Sequence, residues 1–144
     1  MTAYLPDVNV LIALIDRAHV QHDVAHRWFL RHGQQAWATC PLTEDGLLRI
    51  VGHSRYPNSP GNPAALASLM STLCTLPGHV FWPDDIRLLD SARIDCTRLL
   101  NSAQVTDSYL LALACAHAGK LASFDRRLIV DAVRGGSAHL HLIN

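Results

Sequence analysis

Glutamate and lysine are almost missing from this chain. Glu44 is the only glutamate and Lys120 the only lysine among 144 residues. The other acids are aspartate and the other fixed cations arginine, 12 residues of each sign in all. Net charge is zero and the pI is about 7.1. That balance argues against a strongly electrostatic, sequence-blind nucleic-acid binder. It leaves a nuclease open, because bound divalent ions can supply positive charge. The four cysteines, Cys40, Cys74, Cys96 and Cys115, form no C-x-x-C pair and no dense framework. Free thiols in a reducing cytoplasm are therefore expected, with a cytoplasmic protein. No apolar run reaches membrane-spanning length, and Asp7 and Asn9 interrupt any signal-like start. Repeats, low-complexity tracts and linkers are absent too.

Hydrophobic residues make up 49% of the chain. A domain of this size buries roughly 68–70% of its unfolded surface, enough for a sheet covered by helices on both faces. One domain over residues 1–144 is expected. Strand signals fall at Ala3–Pro6, Ala36–Cys40, His79–Trp82, Leu121–Phe124 and His139–Ile143. Helical patterns lie between them: Val8–Ile15, about Gln21–His32, a helix opening at Pro41–Glu44, about Ala64–Leu76, about Asp84–Leu100, a central helix opened by Asp107, and about Arg127–Val133. Asn9, Thr43 and Thr106 read as helix caps. Gly33 and Gly119 read as helix ends. Strands alternating with helices predict an α/β fold, a three-layer α/β/α sandwich with a mainly parallel sheet of about five strands.

In an open parallel sheet, ligands bind beyond the carboxyl ends of the strands. Asp7 ends the first predicted strand and Asp125 the fourth, so both belong to that rim. Glu44 and Asp107 stand at predicted helix starts, which share it. Glu44 heads Leu47, Leu48 and Val51; Asp107 heads Leu110, Leu111 and Ala114. Residues at these offsets share one helix face, here the core-facing one. Asp45 heads a more polar face and is left out. Taken singly, each aspartate is an ordinary cap or turn residue. Four acids on one rim would repel and raise each other's pKa values unless a cation joins them. Grouped hard oxygens suit Mg²⁺ or Mn²⁺. The chemistry that follows is metal-assisted attack of water on a phosphodiester.

Four stretches carry a family likeness: Leu5-Pro-Asp7-Val-Asn-Val-Leu-Ile12, Cys40-Pro-Leu-Thr-Glu44-Asp-Gly-Leu-Leu-Arg49, Val105-Thr-Asp107-Ser-Tyr-Leu-Leu-Ala-Leu-Ala114 and Ala122-Ser-Phe-Asp125-Arg126. In order and spacing the chain resembles the PIN-domain family, and within it the VapC toxins of bacterial toxin–antitoxin pairs. The resemblance implies a PIN-like fold and a ribonuclease using Mg²⁺, with Mn²⁺ as a substitute. It implies Asp7, Glu44 and Asp107 as core metal-site acids, Asp125 as the fourth and more variable one, and Asn9 and Thr106 as supporting polar residues. A homodimer and a small cognate antitoxin are implied as well. Two positions depart from the pattern: Asp45 stands where an uncharged polar residue is common, and Ser108 where a small residue such as Ala is usual.

Other residues have plainer readings. Arg126, beside Asp125, is a candidate contact for RNA phosphate; Arg49, Arg55 and Arg127 are weaker ones, against a solvated surface or ion pairs. His19, His22 and His26 read as a solvated helix face. The aromatic residues in predicted elements read as core. The loop Arg55–Pro63, with three prolines in nine residues, reads as exposed and partner- or RNA-facing. The alternatives are a receiver-like domain, a D-x-D phosphatase, or a non-catalytic PIN-like domain that binds RNA or a protein partner. The first strand ends Asp-Val-Asn and the third Trp82-Pro83, which disfavours the first two. Retention of all four acids disfavours the last.

Overall fold

The computed structural model describes residues 1–144. Five short strands, β1 (Tyr4–Pro6), β2 (Trp37–Thr39), β3 (His79–Phe81), β4 (Lys120–Ser123) and β5 (Leu140–Leu142), form one sheet in the order β3-β2-β1-β4-β5. Every pairing is parallel, with Leu5 opposite Leu121 and Ala38 opposite Val80. The helices are α1 (Val8–Ile15), α2 (His22–Arg31), α3 (Pro41–Val51), α4 (Pro63–Leu73) and α5 (Ala103–Ala116). The α/β class, the parallel sheet and its five strands agree with the sequence reading.

Parallel strands are covered on both faces and so lack a polar side. β2 follows this: Trp37, Ala38 and Thr39 are all buried. Leu5, Ala38 and Leu121 pack beneath α5 with Leu110, Leu111 and Leu113. On the other face Trp37 meets Leu11, Leu47, Val51, Leu66 and Met70 from α1, α3 and α4. Trp28 of α2 packs with Val10, Ala122 and Ile143. Trp28, Trp37 and Trp82 are core residues as expected, whereas Phe81, on edge strand β3, is 48% exposed.

Several local expectations change. Residues 84–100 form turns instead of a helix, with one 3₁₀ turn at Cys96–Arg98. Asp90 and Asp95 each accept the backbone N–H two residues on, from Ala92 and Thr97. Such local bonds compete with the helical ladder. Residues 127–133 are irregular as well, not a helix. Asp125 takes the N–H of Arg127, and the two irregular segments pair through an antiparallel Ile94–Val133 bridge. The cap of α1 is Asp7, not Asn9: its Oδ1 accepts from Val10 N at 2.9 Å. Cys40 is the N-cap of α3, and Thr43 sits inside the first turn, accepting the Cys40 N–H.

α5 starts a turn earlier than the acid that was expected to open it. Gln104 Oε1 accepts from Leu100 N and Asn101 N, while Asn101 Oδ1 accepts from Gln104 N. That side-chain lattice closes the loop and nucleates the helix ahead of Thr106 and Asp107. At the other end the left-handed residue is Ala118, with φ 54°. Gly119 instead serves close packing: a Cβ there would lie 2.5 Å from both the Ala3 carbonyl oxygen and the Trp82 ring.

Gly78, where the chain enters β3, is tighter still. A Cβ would stand 2.0 Å from the Gln34 carbonyl oxygen, a backbone atom. Gly78→Ala is therefore expected to cost about 2–3 kcal/mol through forced backbone movement. Urea unfolding of the variant checks this; an unchanged midpoint would show that the two segments separate freely.

Candidate functional site

Asp7 leaves β1 at its carboxyl end and turns directly into α1. Its backbone N–H is taken by the Ala122 carbonyl on neighbouring β4. The middle of α1, Val10–Ala13, is buried, and the carboxylate at its N-terminus is buried too, 8% exposed. Desolvation raises its pKa from 3.8 to about 6, with the Asp107 and Asp125 charges adding to the rise. Bonding from Ser123 and Val10 pulls the other way. Asp107, half-buried on the second turn of α5, is pushed up by burial and then by Asp125. Three carboxylates from β1, α5 and the end of β4 thus act on one another electrostatically.

Two clefts meet at Asp7 and Asn9. One, of about 270 Å³, lies between α1, α3 and α5, and its polar lining is Asp7, Asn9, Arg49, Thr106 and Asp107. The other, of about 290 Å³, carries Asp7, Asn9, His19, Gln21, Ser123 and Asp125. The side of α3 facing the first cleft presents Leu42, Gly46, Arg49 and Ile50. At Gly46 a Cβ would stand 2.7 Å from a Val8 methyl, so glycine lets α3 approach the start of α1.

Glu44 is turned elsewhere. It is half-buried while Asp45 is exposed, which agrees with the choice made from helix faces. Its carboxylate, however, lines neither cleft. Glu44 Oε2 accepts from the Thr39 hydroxyl at 2.7 Å. The one Thr39 proton being used there, His79 Nε2 at 2.8 Å must be the donor to Thr39. Cys74 feels the Glu44 charge as well. No group of three His, Cys, Asp or Glu side chains converges closely enough to hold a metal ion as they stand.

Arg126 is exposed and donates to Asn144 Oδ1 at 3.1 Å, lining neither cleft. Arg49, and not Arg126, is the arginine that lines a cleft with Asp7 and Asp107. It pairs loosely with Asp45, 3.5 Å away, both being well exposed. The three histidines do not share one helix face: His19 lies before α2, and His22 and His26, the latter exposed, also bond to α1. His22 Nδ1 donates to the Ala13 carbonyl at 2.7 Å and His26 Nε2 to that of Leu14 at 3.1 Å, tying α2 to the end of α1. His19 lies in the preceding loop and lines the second cleft; its Nδ1 accepts from Gln21 N. The proline loop is anchored, through Tyr56 and Asn58 donating to Asp16. Nothing local in sequence marks the place of His19 at the cleft or the Asp16 anchor.

The donor set is all hard oxygen, mutually repelling and opening onto clefts. This suits a divalent cation that keeps waters and takes only one or two carboxylates.

The family model described as PIN domain matches residues 4–133. Ribonuclease VapC44 of Mycobacterium tuberculosis is 42% identical over 133 residues, 92% of this chain and 93% of that protein. Ribonuclease VapC39 of the same organism is 41% identical over 135 residues, covering 94% and 96%. Ribonuclease VapC29 is 38% identical over 141 residues, covering 98% and 92%.

Proposed function

From the premise that this chain belongs to the PIN-domain family, we propose that it is a metal-dependent endoribonuclease, the toxin of a type II toxin–antitoxin pair, hydrolysing RNA phosphodiester bonds. The observation that carries the reading is the place of Asp7 where two clefts meet, with Asp107 lining one and Asp125 the other. Relatives named ribonucleases over nearly the full chain supply the substrate class. A small antitoxin, a homodimer and a cytoplasmic setting belong to the same proposal; no helix is long and apolar enough to cross a membrane.

Asp7 and Asp107 are the principal metal-holding acids, with Asp125 at the rim. Mg²⁺, or Mn²⁺ in its place, would lower the pKa of the attacking water and offset charge on phosphate and leaving oxygen. The protein's part is positioning. The Asp7 Oδ1 bond to Val10 N and the rigid buried helix behind it hold one carboxylate still. α5, apolar along Leu110–Ala114, does the same for Asp107. Asn9 and Thr106 offer neutral bonding groups at the cleft walls, and the Arg49 guanidinium suits a phosphate oxygen. Glu44 is the outer acid, kept in place by Thr39. Arg126, bound to Asn144, is the weakest of the proposed phosphate contacts.

Purified protein incubated with structured RNAs in Mn²⁺ or Mg²⁺ should cleave, and excess chelator should abolish cleavage. Cleavage that persists in chelator would defeat the metal-dependent reading.

A further inference from the structure

Beside the cleft holding Asp7 and Asp107 lies a second pocket of about 420 Å³. The two share Leu42 and Thr106 as walls. Its other walls are mostly apolar, Ile86, Leu88 and Val105, and its fixed polar groups are Asp84 and Tyr109. The buried Tyr109 hydroxyl donates to Asp84 Oδ1 at 2.6 Å. None of the ion pairs in the protein involves Asp84. Its Oδ2 and the remaining lone pair of Oδ1 are thus acceptors held at the edge of an apolar pocket.

This is the make-up of a small-molecule site, apolar walls with a few oriented polar groups. A phosphate is excluded, since an unpaired carboxylate repels it. A nucleobase fits: RNA sequence is read on unstacked bases lying against side chains and hydrogen-bonded on their Watson–Crick edges. Carboxylates accept from base amino and imino groups. Guanine presents two adjacent donors, N1–H and the N2 amino group. Uracil presents one N–H flanked by two carbonyl oxygens that would face the carboxylate.

We propose that the Leu42–Ile86–Val105 pocket is a nucleobase subsite next to the scissile phosphate, and that Asp84, aligned by Tyr109, selects guanine there and rejects uracil. The inference rests on the ribonuclease reading above.

The test is cleavage of a randomised single-stranded RNA pool by the full chain in Mn²⁺, with the product ends sequenced. Wild type should show guanine enriched and uracil depleted at one position near the cut. Asp84→Asn should reduce that preference about tenfold and leave the other positions as they were. Tyr109→Phe should weaken it less, because the carboxylate remains but loses its alignment. Asp84 is exposed, so its variant should fold, as thermal unfolding will show. An unchanged base profile in Asp84→Asn overturns the subsite while leaving the ribonuclease reading intact. An unchanged profile with an altered oligomeric state assigns the pocket to a second copy of the chain and overturns it equally. Absence of wild-type cleavage overturns both readings.

Discussion

Asp7→Asn should lose about a thousandfold in the rate of metal-dependent RNA cleavage, some 4 kcal/mol of transition-state stabilisation. The substitution is nearly isosteric and asparagine is as good an N-cap as aspartate. The bond from Val10 N to the Oδ1 atom can therefore persist, and the fold is not at risk. What goes is the charge at the point where the two clefts meet. Asp107→Asn should fall nearly as far, since Asp107 lines the first cleft. Glu44→Gln should fall less, on the order of 10–100-fold, as replacements behind the directly ligating groups do. Initial cleavage rates over a Mn²⁺ titration measure all three. Wild-type activity in Asp7→Asn would remove the carboxylate rim from the chemistry altogether. A Glu44→Gln loss as deep as that of Asp7→Asn would mean that its side chain swings away from Thr39 when the site is loaded.

The contrast between Asp7 and Glu44 shows what sequence could and could not reveal. Strand ends are marked by abrupt polar residues after short apolar runs, so Asp7 and Asp125 could be placed on one rim from pattern alone. Helix faces follow from spacing, so Glu44 was separable from Asp45. But an inward face covers a wide arc. Glu44 shares its face with Leu47 and Val51, which pack toward α4, whereas the cleft is lined by Leu42, Gly46 and Arg49. Spacing says which side of a helix is buried. It does not say against which neighbour.

The irregular segments were the least legible. Residues 84–100 carry apolar residues at roughly helical intervals, and a helix there would have matched an alternating fold. Asp90 and Asp95 decide otherwise by bonding their own backbone. The partner that stabilises the result, Val133 opposite Ile94, lies some forty residues away. The start of α5 failed for a related reason: Gln104 acts as an acceptor for the loop before it, a role that helix propensity does not reveal. Long-range anchors such as Tyr56 and Asn58 on Asp16 are equally silent in sequence. Yet they fix the loop that brings His19 to the second cleft. Local rules hold where a segment's own atoms decide its shape, and lapse where one distant contact does.

The same buried carboxylate should cost the metal-free protein stability at neutral pH that it does not cost in mild acid. The folded-state pKa of Asp7 is about 6 against an ordinary 3.8, so the folded chain keeps a proton that the unfolded chain releases. Stability from this group is complete below pH 3.8, falls as the pH rises through the interval, and is lost above about 6. The difference is worth ~3 kcal/mol. Asp107, also raised, adds in the same direction. His79 and His141, both lowered by burial, act oppositely, because their stabilisation is lost as the pH falls. The raw pH profile of the wild type therefore mixes signs, and the difference between wild type and Asp7→Asn isolates the carboxylate. That difference should be small near pH 4 and favour Asp7→Asn by ~3 kcal/mol, roughly 6–12 °C in Tm, at pH 7.5 in chelator. Mn²⁺ should then recover most of it for the wild type and less for the variant, which keeps Asp107 but lacks the Asp7 charge that the cation offsets. Thermal unfolding at pH 4, 6 and 7.5, with and without metal, measures each arm. A gap between the two proteins that is the same at all three pH values would mean that Asp7 is solvated enough to ionise normally, and that its burial does not oppose its charge.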